Sequence, residues 1–219
     1  CLSTSEARTE GLDGSFAMIR LQDQRVVIDL EQVQRLGLDD YAPEILAHEI
    51  GHHILAPATL ADHARMIARM RPATQDAKAG LVANLYTDLL INDRLQRSAR
   101  LRMAEVFQAL PAASASSRLW RVYQRIYEHL WQLPRGSLVA GVLDEAMEGD
   151  AWLGARLVRS YARDWVDGAG SFAALCLPYL LDEEELAEAL RALQDTAAAA
   201  QDGWPAGLVD IEDGERRPI

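Results

Sequence analysis

The sequence predicts a mainly helical α+β protein with one small β element near its N-terminal end. Three observations carry that reading. Apolar residues recur at helical spacing through most of the chain, two short β-prone runs stand together ahead of them, and turn residues separate the segments without an internal repeat.

Residues 1–13 are polar and contain glycine, so they read as a loose lead-in. Ser15–Leu21 and Arg25–Leu30 are the β-prone runs, and Gln22-Asp23-Gln24 between them predicts a hairpin. Glu31–Leu36 forms helix and stops near Gly37. The next helix has Asp39 or Asp40 as its cap, Pro43 in its first turn and Glu44 complementing its dipole. Ile45, Leu46, Ile50 and Ile54 give it an apolar face, and Pro57 closes it. Thr59 with Asp62 caps a short helix that ends before Pro72.

A long helix then runs from about Thr74 to Arg100. Beyond it Leu119, Val122, Tyr123, Ile126, Tyr127 and Leu130 recur at helical spacing, and the Tyr/Trp stripe from Trp120 to Trp131 reads as core. Ser137–Glu148, Ala151–Trp165 and Glu183–Thr196 follow as helices, and the chain from Ala197 reads as a linker or frayed tail. The domain organisation expected is a core over residues 1–100, a helical subdomain packed on it over 101–200, and a tail over 201–219.

Composition narrows the classes. A chain of 219 residues with 49% hydrophobic and 25% charged residues is ordinary for a globular protein. A formal charge of −11 argues against sequence-independent nucleic-acid binding, which relies on Lys and Arg neutralising phosphates. No apolar run approaches the roughly 18 residues that span a bilayer. Cys1 and Cys176 are the only cysteines, which excludes a disulfide framework and a thiolate cluster and points to a reducing, cytoplasmic setting. The chain opens on Cys1 rather than Met, as a trimmed protein or excised domain would, or a lipoprotein after signal cleavage.

The feature that speaks to chemistry is His48-Glu49-Ile50-Gly51-His52. On a helix, His48 and His52 fall one turn apart on one face and can share a metal ion, while Glu49 beside them is placed to act on a bound water. A catalytic zinc takes a third protein ligand. The pattern that would supply it as a further histidine needs Gly and His where this chain has Leu55 and Ala58, and His63 sits on a polar helix as a solvated residue. His53 points about 100° away around the helix and is a neighbouring rather than a ligating residue.

The long helix offers a better candidate. From Leu81 to Leu95 it is apolar nearly all round, so it is expected to be buried. Yet Asn84, Asp88 and Asn92 form one polar row at i, i+4 and i+8. A buried carboxylate without a partner is costly, so Asp88 requires a cation or strong donors. A zinc ligated by His48, His52 and Asp88, with Asn84 and Asn92 orienting the ligands, meets that need. The alternative is that Asp88 pairs with an arginine, with Asp93 in reserve as the ligand.

The segment Asn84-Leu85-Tyr86-Thr87-Asp88-Leu89-Leu90-Ile91-Asn92, following His48-Glu49-x-x-His52 and the Val26-Val27-Ile28-Asp29 strand, resembles a bacterial zincin-type metallopeptidase domain. That domain occurs beside MoxR-type ATPases and von Willebrand factor A proteins and carries an Asn-x-x-x-Asp-x-x-x-Asn helix. The resemblance covers about residues 14–95. It implies a zincin-like core and a MoxR-type ATPase or von Willebrand A partner. Thermolysin-like peptidases place a ligand Glu after the Asn of this helix, where Leu85 stands. ImmA/IrrE-like peptidases place theirs just ahead of the Ala83-Asn84 pair, where Gly80, Leu81 and Val82 stand.

The expected function is therefore zinc-dependent hydrolysis of a peptide bond in a protein or peptide, with Glu49 as general base and then general acid. Strand addition along Phe16–Arg20, through Phe16, Met18 and Arg20, would present the substrate. Tyr86, His53 and Tyr123 are the candidates for stabilising the oxyanion. The competing readings are a helical interaction or scaffold module with an idle zincin half, and a regulator-cleaving peptidase of the ImmA/IrrE kind.

Overall fold

The computed structural model describes residues 2–10, 12, 17–20, 25–74, 76–110 and 117–180. Among these, two short strands and nine α-helices are present, so the chain is mainly helical. Strands β1 (Ala17–Arg20) and β2 (Arg25–Ile28) pair antiparallel with Ala17 opposite Ile28 and Arg20 opposite Arg25, the hairpin expected. Helix α1 (Thr4–Thr9) precedes them, and Leu2 bridges to Asp29 at the end of β2. Asp29 then caps α2 (Leu30–Arg35) by accepting from the Gln32 N–H.

Helix α3 (Ala42–Ile54) carries the His-Glu motif. Its start departs from expectation. Asp39–Tyr41 forms a 3-10 turn and Tyr41 is the N-cap, so neither aspartate caps the helix. Glu44 instead accepts from the backbone and guanidinium of Arg102 at 3.2 and 3.0 Å. The apolar face is also corrected. Ile45 is buried, but Leu46, Ile50 and Ile54 are 42%, 38% and 64% exposed, and the helix buries Glu44, Glu49, Gly51 and His52 instead. The chemistry-bearing face is turned inward.

Helix α4 (Leu60–Met70) starts at Thr59, whose hydroxyl accepts from the Asp62 N–H at 3.1 Å, as the sequence indicates. Helix α5 (Asp76–Arg97) is the hub, touching α3, α4 and each of the later helices. Val82, Ala83, Leu85, Tyr86, Leu89 and Ile91 on it are almost wholly buried, which is why its sequence is apolar nearly all round.

After α6 (Met103–Ala109) comes α7 (Arg118–Trp131), capped by Ser117 and burying Leu119, Val122, Tyr123, Ile126, Tyr127 and Leu130 on one stripe. The helix expected over Ser137–Glu148 does not form. The Glu128 carboxylate accepts the N–H groups of Leu138 and Val139 at 2.7 and 3.1 Å, holding that segment as a loop. Helix α8 (Glu145–Ser160) begins only where Asp144 accepts from the Met147 N–H, and it runs through the break expected near residue 150. Helix α9 (Trp165–Leu180) contains Gly168, Gly170 and Pro178, which argue against helix locally. Those glycines serve packing: a Cβ at Gly168 would lie 2.4 Å from the Tyr86 hydroxyl, and one at Gly170 2.9 Å from the Arg69 carbonyl oxygen. The helix expected over Glu183–Thr196 and the tail over 201–219 lie outside the described residues.

The largest core cluster gathers side chains from α4, α5, α7, α8 and α9. A smaller one joins Ala17, Val33, Leu38, Ile45 and Val106 under the hairpin. Among the described residues no helix is long and apolar enough to cross a membrane.

Candidate metal centre

Two helices make the site, and a glycine sets their separation. A Cβ on Gly51 would stand 2.5 Å from Ile91 Cγ2, so only glycine lets α3 lie this close to α5. At that spacing Asp88 faces His48 and His52. The His52 Nε2 atom lies 3.2 Å from Asp88 Oδ1 and 3.2 Å from His48 Nε2, and the His48 Nε2 to Asp88 Oδ1 distance is 3.7 Å. The two rings meet edge to face, with centroids 4.8 Å apart. These three residues form a group that can hold a metal ion.

Each ligand atom is oriented from behind. His48 Nδ1 lies 2.7 Å from Asn92 Oδ1, an acceptor, so that nitrogen is the one placed to donate and Nε2 is the one turned toward Asp88. Asn92 Nδ2 in turn donates to the Tyr127 hydroxyl at 2.8 Å, which is 3.0 Å from the Tyr123 hydroxyl. Asn84 Nδ2 donates to Asp88 Oδ2 at 3.3 Å. Asp88 Oδ1 is buried and faces the Nε2 atoms of His52 and His48, at 3.2 and 3.7 Å, the side on which a shared cation would be held. Burial alone would lower the His52 pKa, but the Asp88 carboxylate, then Glu49 and a backbone hydrogen bond at Ala56, outweigh it and raise the pKa.

The alternative partner for Asp88 does not materialise: its contacts among the described residues are His48, His52 and Asn84, and no arginine. Asp93, the reserve ligand, is buried and accepts from Arg97 Nε at 3.0 Å, and it is not part of the group that can hold the metal. His63 is half-buried rather than solvated, its pKa held down first by burial and then by the charge of His52, and it is not part of the ligand group. His53 is likewise half-buried and outside it, with Nδ1 lacking a hydrogen-bond partner.

Glu49 is buried and shares a cavity of about 50 Å³ with His48, Asp88, Asn92 and Tyr123. Of the three candidates for the oxyanion, Tyr86 is spent elsewhere, donating to the Trp165 carbonyl at 2.9 Å, while Tyr123 lines the cavity. Phe16 lies outside the described residues. Met18 and Arg20 fall on β1 by their backbone, and their side chains lie outside what the structure describes.

The sequence reading missed Tyr127 and the cavity wall. Trp120 and Tyr123 are core, as expected, yet they also face the cavity. The signal for Tyr127 was its position four residues after Tyr123, which stacks two hydroxyls on one face of an otherwise apolar helix. The rest of the wall comes from Met103, Val106 and Phe107 on α6, followed by Leu110. Glu44 places that helix, because Arg102 immediately precedes it. Comparison with known protein families, with characterised proteins and with solved structures finds no match for this chain.

Proposed function

We propose that this protein is a zinc-dependent metallopeptidase built on a zincin-like core. The observation that carries the reading is the triangle of donor atoms. Two nitrogens and an oxygen at ligand distances of about 2.0–2.1 Å from a tetrahedral zinc lie roughly 3.3 Å from one another. Here the three separations are 3.2, 3.2 and 3.7 Å, close to that value. Two imidazoles and one carboxylate are also the donor set of an open, catalytic site rather than a closed structural one.

Bound there, zinc would supply a Lewis acid that acidifies a water and polarises a scissile carbonyl. Glu49 takes the proton from the attacking water and delivers it to the leaving amine. Asn92 holds His48 in one tautomer, Asn84 holds Asp88, and the buried setting strengthens each of these interactions. Tyr123 faces the cavity and can donate toward the carbonyl oxygen where Tyr127, 3.0 Å away, donates to it rather than accepting from it. By resemblance, the partner would be a MoxR-type ATPase or a von Willebrand A protein, and the low cysteine count favours a reducing, cytoplasmic setting.

A second reading is a metal-holding helical module that binds a partner without catalysis. The exposed aliphatic row of Leu46, Ile50 and Ile54 on the motif helix favours it. One experiment separates the two: zinc per chain by elemental mass spectrometry, and cleavage of an unfolded protein substrate, for wild type and Glu49→Gln. About one zinc in both, with cleavage by wild type alone, is the expected result. One zinc in both without cleavage supports the module, and a zinc-free wild type after metal is offered removes the metallopeptidase reading.

A further inference from the structure

Arginine is unevenly spread over this acidic chain. From Arg94 to Arg102 four arginines stand within nine residues and no carboxylate interrupts them, although the whole chain carries −11. Arg94 and Arg97 fall three residues apart in the last turn of α5, so they share a face. Arg97 Nε donates to the buried Asp93 carboxylate at 3.0 Å, and the charge of Arg159 on α8 acts on that same carboxylate. The Arg159 guanidinium also donates to the Leu130 carbonyl. Asp93 thus ties the end of α5 to the end of α8. On α8 the exposed row is Trp152, Arg156 and Arg159, at i, i+4 and i+7, about 10 Å long. Trp152 is 51% exposed, Leu153 beside it 45%, and the Arg156 guanidinium lies 4.7 Å over the Trp152 ring.

Helix dipoles account for part of this arrangement. Cations are favoured in the last turn of a helix, where Arg94, Arg97 and Arg159 stand. Dipoles do not account for Arg156, one turn earlier, or for Arg100, which follows the helix end. Arg100 has a φ of +56°, a left-handed conformation that is costly for arginine and free for glycine. Among the described residues no carboxylate pairs with Arg94, Arg100 or Arg156. An exposed tryptophan beside unpaired cations is a surface built for contact.

We infer that the shared end of α5 and α8 is a docking surface for an acidic segment of a partner protein, whose aliphatic side chains cover Trp152 and Leu153. Charge complementarity selects this occupant. Five exposed guanidiniums, those of Arg94, Arg97, Arg100, Arg156 and Arg159, surround one buried acid, and the partner's carboxylates complete them. A nucleic acid fits less well, because its continuous backbone charge also meets the acidic remainder of the chain. A second copy would set arginine against arginine. The surface stands apart from the zinc reading and survives its failure.

The test is fluorescence anisotropy with the full chain and a fluorescein-labelled peptide of two Glu-Glu-Leu-Glu-Glu-Leu-Leu heptads. The expected result is saturable binding that weakens as salt rises from about 0.1 to 1 M, where the Debye length falls from roughly 10 to 3 Å. Arg94→Glu combined with Arg156→Glu should weaken binding at least about tenfold, and Trp152→Ala about tenfold. Arg35→Glu combined with Arg65→Glu changes net charge equally on α2 and α4 and should leave the affinity close to wild type. A peptide with serine in place of leucine should bind at least about tenfold more weakly. Equal weakening by the two double variants overturns the surface, as does equal binding of a peptide with lysine in place of glutamate. Tighter binding of a labelled single-stranded DNA of matched length also overturns it and makes the face a nucleic-acid contact.

Discussion

His48 Nδ1 stands 2.7 Å from Asn92 Oδ1, and this contact decides which nitrogen of His48 faces Asp88. Asn92 is held in turn by the Tyr127 hydroxyl, so its amide cannot rotate without losing a buried partner. Removing such an orienting group typically lowers metal affinity 10–100-fold. Asn92→Ala is therefore expected to weaken zinc binding by about that factor, measured by competition with a chromophoric chelator. Tyr127→Phe should cost less, because Asn92 Oδ1 still faces His48. Equal affinity of wild type and Asn92→Ala would show that His48 needs no such support.

Asp88 makes a sharper prediction. Its Oδ1 is buried and faces the two imidazoles, so in the fold the carboxylate is offset either by a protonated His52 or by a bound cation. Asp88→Ala should reduce bound zinc from about one per chain to near zero. A ligand that binds only the folded state stabilises it by about 2.7 kcal/mol at a hundredfold excess over Kd. Added zinc should therefore raise the melting temperature of wild type and leave Asp88→Ala unmoved. Zinc retained at wild-type level in the variant would move the third ligand elsewhere.

Much of this site is legible in the sequence because its spacing is local. His48 and His52 on one helix, and Asn84, Asp88 and Asn92 on another, are periodicities that survive any tertiary arrangement. What the sequence hides is which face meets which neighbour. Ile50 and Ile54 look like the buried stripe of α3, yet Gly51 lets α5 approach from the polar side and leaves them exposed. The same blindness affects α9. Gly168 and Gly170 count against helix by intrinsic preference, but they are the positions where Tyr86 and Arg69 come too near for a side chain. The wall formed by α6 was invisible for a related reason, since the contact that places it joins Glu44 to a residue 58 positions away.

The helix separation at the metal centre can be tested directly. A methyl group at Gly51 would overlap Ile91 Cγ2, and a β-branched side chain packed in a helix has no second rotamer to move into. Helix preference alone favours Gly51→Ala by about 1 kcal/mol, but overpacking typically costs 1–3 kcal/mol. The variant should thus be less stable than wild type and hold zinc more weakly, because α3 is pushed off α5. Ile91→Ala should restore zinc affinity in the double variant while lowering stability on its own. Purely additive effects of the two changes on zinc affinity would contradict a contact-set spacing.

Glu128 gives the fold a defined pH response. Burial favours its neutral form, but the N–H groups of Leu138 and Val139 and the Arg125 guanidinium outweigh that and hold its carboxyl below the usual range. A carboxyl held low in the folded state contributes stability that is complete above the unfolded value, near pH 4.3, and is lost as pH falls through the folded value. Charge-assisted hydrogen bonds of this kind are worth about 1.5–3 kcal/mol. Glu128→Gln should therefore cost about 2 kcal/mol at pH 7, measured by urea unfolding, and the gap to wild type should narrow steadily below pH 4 or so. A gap that stays constant down to pH 3 would mean that the amide is costly for a reason other than the lost charge, and no gap at pH 7 would mean that its carbonyl serves Leu138 and Val139 equally well.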